Sequence, residues 1–88
     1  MSNFTIKFAA KAEKQARKLP VSVLKKLRKK LQILIKAQNH PSLNFHKKAS
    51  SDQYEGRIDI HYRFSGKFID EDFYITSIGM HDVGLGRK

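Results

Sequence analysis

The stretch RIDIHYRF, residues 57–64, places Arg57, Asp59, His61 and Arg63 at every second position, with Ile58, Ile60, Tyr62 and Phe64 between them. On an extended strand, residues i and i+2 share a face. The spacing therefore predicts a row of two arginines, a histidine and a carboxylate opposite an apolar row. Guanidinium groups grip phosphate through paired N–H donors, and an imidazole exchanges a proton near neutral pH, so the polar row suits a phosphodiester. It equally suits cross-strand ion pairs on a wet face, an ordinary feature of antiparallel sheets. His81 and Asp82 form a second histidine–carboxylate pair just after the apolar run at 73–80, where a strand end delivers side chains to a rim. A turn with a satisfied surface histidine is the plainer reading of that pair.

Several other chemistries find no support. The four histidines, at positions 40, 46, 61 and 81, include no close ligand pair, and the chain has no cysteine, so neither a metal site nor a disulfide framework is expected. No glycine-rich phosphate loop followed by Lys and Ser or Thr occurs, nor a GxSxG nucleophile motif. No cofactor is expected.

The elements that must carry these residues follow from periodicity. Phe4, Ile6 and Phe8 alternate with Thr5 and Lys7 and predict a strand over 3–8. Ala12, Ala16 and Leu19 recur at helical spacing after Ala9, and Pro20 ends that helix or opens the next. Leu24, Leu27, Leu31 and Leu34 then mark one face of a second helix whose remainder is largely lysine and arginine, and Asn39, His40 and Pro41 stop it. Residues 42–53 read as a polar surface loop holding Phe45, His46, Lys47 and Lys48. Tyr54 to Ser65 reads as one strand, Gly56 marking a bulge or a close approach, and 73–80 as a central strand beyond turns near Gly66 and Asp70–Asp72. The expected architecture is a single α+β domain over 1–88: an antiparallel helix pair on one face of a twisted, mainly antiparallel sheet of about four strands, in the order β-α-α-β-β-β.

Charge adds a partner class. Across 88 residues, 18 Lys and Arg stand against 8 Asp and Glu. The excess is concentrated in residues 1–48, with 13 basic side chains and 1 acidic, whereas residues 49–88 hold 5 and 7. Such a field attracts nucleic acid, an acidic protein or an anionic membrane surface. The leucines of the basic helix are needed to cover the sheet, which disfavours a membrane-surface role. No stretch approaches the roughly 20 apolar residues of a membrane span, and no secretory leader is visible, so a cytoplasmic location is expected.

The order strand, helix, KLP, basic leucine helix, NHP, YEGRIDIHYRF and ITSIGMHD resembles the RelE/ParE superfamily of toxin–antitoxin toxins over nearly the whole chain. The resemblance implies a toxin of a type II system that cuts mRNA on the ribosome without a metal and is neutralised by a cognate antitoxin. It implies that Arg57 and Arg63 hold the phosphate, that His61 and His81 serve as base and acid in either order, and that Asp82 orients His81 or contacts RNA. His46, Lys47 and Lys48 would steady the RNA backbone. Where many members carry a tyrosine after the position of His81, Val83, Gly84, Leu85 and Gly86 stand here, which argues against a tyrosine-dependent mechanism. The alternatives are a ParE-like inhibitor of DNA gyrase, a catalytically inactive member that binds its antitoxin, and a free-standing RNA-binding module.

Overall fold

The computed structural model describes residues 4–80 and contains β1 (Thr5–Phe8), α1 (Ala10–Arg17), α2 (Val21–Lys36), a 3-10 turn at Pro41–Leu43, β2 (His46–Lys47), β3 (Tyr54–Arg57), β4 (Tyr62–Ile69) and β5 (Asp72–Met80). The strands form one sheet in the order β1-β5-β4-β3-β2. All neighbours are antiparallel except β1 and β5, which run parallel from Thr5↔Asp72 to Phe8↔Ile75. A parallel neighbour needs a long crossover, and α1 and α2 lie within it. The α+β class and the helices on one sheet face are as expected. The strand count is five, because His46–Lys47, in the segment expected to be loop, pairs with Tyr54–Glu55.

Pro20 opens α2: its carbonyl accepts from the backbone N–H groups of Val23 and Leu24, each at 3.0 Å, while its missing N–H would have had no helical partner. Val23, Leu27 and Leu34 turn inward with Ala12 of α1 and meet Phe64, Phe73, Ile75 and Ile78 of the sheet. The segment before β3 is anchored by Phe45, which stacks on Tyr54 at 5.1 Å and meets Phe73 edge-on at 5.5 Å. That anchor is why His46–Lys47 pairs with the sheet instead of crossing solvent.

Two irregularities position the site. The stretch RIDIHYRF is a hairpin, where alternation predicts one continuous strand. Asp59 causes the break: its Oδ1 accepts from the backbone N–H of His61 (2.8 Å) and of Tyr62 (2.9 Å), giving the chain a local alternative to the ladder. Ile58 remains buried, but Ile60 at the tip is 63% exposed. The second irregularity is a bulge in β5. Ser65 pairs with Ser77 and Gly66 with Ile75, so Thr76 has no opposite number. Ile75 and Ile78, three positions apart, are consequently both buried.

Candidate functional site

Along β3 and β4, Gly56, Phe64 and Gly66 are buried toward the helices. The intervening residues Glu55, Arg63 and Ser65 must then face the side of the sheet without helices, while Arg57, at the edge of β3, borders a separate cleft beside α2. On β5 the bulge brings Ser77 and Gly79 to that same face, opposite Ser65 and Arg63. Unbroken alternation from Phe73 and Ile75 would have put Ile78 there instead.

The result is an open cleft of about 290 Å³, bordered by Gln15, Glu55, Arg63, Ser65, Ser77 and Gly79 among others. Gly79 contributes a gap: a Cβ built on it meets nothing within 4 Å. Arg63 stands between Gly79 and Arg57 in the ladder. Directly opposed residues of an antiparallel pair hold their Cβ atoms about 5 Å apart, and like charges in that position destabilise the sheet. A bound anion would reverse the sign of that interaction. Arg63 is aimed by a hydrogen bond from its Nη1 to the carbonyl of Asp59, 3.1 Å away.

Asp59 does not share the row with the arginines. Its Oδ2 lies 3.5 Å from Lys26 Nζ on α2. Partial burial by itself pushes this carboxyl up, but the backbone N–H groups of His61 and Tyr62 and the Lys26 ammonium outweigh it and hold the pKa below the ordinary value. The carboxylate is thus a structural anion of the hairpin and forms no ion pair with either arginine.

The other site residues are distributed as follows. His46 stands opposite Glu55; its Nδ1 is 2.7 Å from the Asn44 carbonyl and its Nε2 3.5 Å from Glu55 Oε1. Lys47 and Lys48 are exposed beside it. His61 is exposed at the hairpin tip and does not border the cleft with Arg63. His81 and Asp82 lie outside the described residues. Among the described residues, no three His, Cys, Asp or Glu side chains gather as a metal site, and no helix is long and apolar enough to cross a membrane.

Glu55, Gln15, Ser77 and Gly79 were not singled out by the sequence. Glu55 was within reach, being two positions before Arg57 on the same strand parity. Ser77 and Gly79 were not, since their placement depends on the bulge, and Gln15 comes from a helix distant in sequence.

A YoeB dimer from Staphylococcus aureus matches this fold with a TM-score of 0.73, covering 91% of this chain and 99% of its own, at 19% identity. The isolated RelE toxin of E. coli matches with a TM-score of 0.71 over 94% of this chain and 93% of its own, at 24% identity. The chain has the RelE/YoeB toxin fold. A third match with the same fold is the E. coli DinJ–YafQ toxin–antitoxin complex, at a TM-score of 0.67 and 16% identity, covering 92% of this chain and 96% of the matched one. By sequence alone, no family model and no curated protein matches. The cleft with Arg63 lies on the face of the sheet that bears Ser65, Ser77 and Gly79.

Proposed function

We propose that this protein is the toxin of a type II toxin–antitoxin system and a metal-independent endoribonuclease that cuts mRNA on the ribosome. The observation that carries the reading is Arg63 beside the gap at Gly79 on the open face of a RelE-like sheet, with Arg57 opposite it in the ladder. In the reaction the RNA 2′-OH attacks the adjacent phosphorus as its proton passes to a base. The P–O5′ bond breaks, an acid protonates the leaving oxygen, and a 2′,3′-cyclic phosphate remains. Arg63 and Arg57 neutralise the extra charge that builds on the phosphoryl oxygens. His61 and His81 are the proposed base and acid, with Asp82 orienting His81. His46, placed between the Asn44 carbonyl and Glu55, contacts the RNA backbone together with Lys47 and Lys48. Glu55, on the cleft wall, is a further proton acceptor. An antitoxin of acidic, amphipathic character covers the basic and apolar surface, as DinJ accompanies YafQ in its toxin–antitoxin complex.

A second reading has its own support. Among the described residues no two histidines share the cleft: His46 is tied to Glu55, and His61 is at the hairpin tip. A binding toxin that arrests DNA gyrase, or an inactive member that only holds its antitoxin, needs no converging proton-transfer groups. The deciding experiment is induction in growing cells, with mRNA 5′ ends mapped for the wild type and for Arg63→Ala. Translation-dependent cuts that vanish in the variant are expected. Growth arrest with intact mRNA would replace the nuclease with the gyrase reading.

A further inference from the structure

A second cleft, of about 410 Å³, lies on the other side of Arg57, between α2 and the β3–β4 hairpin. Lys26, Lys29, Lys30 and Arg57 border it, and Ile58 and Ile60 contribute apolar surface. Lys30 is fixed by donating to the Ser42 carbonyl at 3.0 Å. Burial first, then the neighbouring Arg57 and Lys29 cations, push its pKa below the ordinary lysine value. Asp59 offers these cations little, because Lys26 and two backbone N–H groups already occupy it. Among the described residues, Lys29, Lys30 and Arg57 take part in no salt bridge. The cleft therefore concentrates positive charge over an apolar floor.

Its connection to the open face is through Arg57. β2 pairs only with Tyr54 and Glu55, so β2 leaves the outer edge of β3 uncovered at Arg57. Arg57 borders the second cleft while standing opposite Arg63, which borders the first. No element of the sheet separates the two clefts along that edge.

We propose that the single strand of RNA that occupies the open-face cleft continues past Arg57 around the free edge of β3 into this second cleft, where Lys29 and Lys30 hold its phosphodiester backbone and Ile60 supports a base. This rests on the nuclease reading for the first cleft. A phosphodiester fits the cations, and an apolar floor takes the face of any nucleobase, so the second cleft adds affinity with little sequence preference. Ribosomal RNA could supply the same chemistry; continuity through Arg57 favours the strand already bound at Arg63.

The test is fluorescence anisotropy with 2′-O-methyl oligouridylates, which cannot be cleaved, from about 3 to about 12 nucleotides long, a range spanning usual single-strand site sizes. The wild type should gain affinity with length. Lys29→Glu/Lys30→Gln should bind the long oligomers about tenfold more weakly. It should bind the shortest as the wild type does. Ile60→Asp, at an exposed position, gives the same result without touching the lysines and guards against a folding defect in the first variant. Arg63→Ala should lose the shortest oligomers. If both second-cleft variants retain the full gain with length, or lose only binding to ribosomes, the continuous path is wrong while the nuclease reading stands. If polyglutamate of equal charge displaces the long oligomer as well as unlabelled RNA does, the cleft serves an acidic protein and the proposal is overturned. If the wild type binds no oligomer, the path is overturned, while the nuclease reading stands or falls on the mapped mRNA 5′ ends.

Discussion

Gly79 and Gly56 are both small for a reason, and the reasons differ. At Gly79 the space beside the backbone is open, and the position faces Arg63 on the cleft side. Gly79→Val should keep the fold, since β-branched residues suit strands, and should abolish RNA cleavage by filling the gap. Unchanged thermal unfolding with lost cleavage is the expected pair of measurements. At Gly56 the Cβ position is occupied by the Phe64 ring. Phe64 is fully buried and cannot retreat without disturbing Phe45 and Phe73. Gly56→Ala should thus cost about 1–3 kcal/mol by overpacking, read as a lowered denaturant midpoint at unchanged slope.

Asp59 acts on the hairpin as a whole. Its folded pKa is lowered, so its contribution to stability is fully present above the ordinary value of 3.8 and is lost as pH falls from there through the folded value. Stability measured in urea should fall less steeply for Asp59→Asn than for the wild type over that acid range, because Asn retains an acceptor oxygen but no charge. At neutral pH, Asp59→Ala should destabilise by about 1 kcal/mol and loosen Arg63, whose guanidinium is aimed by the same turn. The link between α1 and β5 has a comparable single point. Beyond Phe8, β1 no longer covers β5, and Gln15 takes over: its Oε1 accepts from the Ile78 N–H at 2.7 Å. Gln15→Leu leaves that buried donor unpaired and should cost about 1–3 kcal/mol. Amide exchange at Ile78 should quicken more than at neighbouring β4 positions.

Charge belongs to the whole molecule. The excess in residues 1–48 surrounds the helices, while the site arginines come from the otherwise acidic second half. Binding should therefore combine a local grip at Arg63 with a diffuse, salt-screened attraction. For a single strand, log K falls against log salt with a slope of roughly 0.7 per phosphate neutralised. Engagement of both clefts, with about four cations, predicts a slope near −3 for long RNA and a shallower one for the shortest oligomers. Cleavage on the ribosome should leave a 2′,3′-cyclic phosphate, and 3′-hydroxyl ends would remove the transesterification mechanism.

The sequence by itself determined the class of fold. The two-residue period of Phe4, Ile6 and Phe8, the leucine spacing of α2 and the position of Pro20 are local consequences of backbone geometry, and they specify elements without reference to anything distant. The arginines at 57 and 63 could also be picked out as candidate phosphate ligands, since their chemistry is intrinsic. Their relation was not. Periodicity predicts them six residues apart on one strand, whereas Asp59 folds the chain between them and sets them face to face. The alternation of Phe73 and Ile75 gives no warning of the bulge at Thr76 that turns Ser77 and Gly79 outward. Nor does it show that the lysines of α2 meet Arg57 across the second cleft. Those placements depend on hydrogen bonds and packing between residues far apart in the chain, which only the tertiary structure decided.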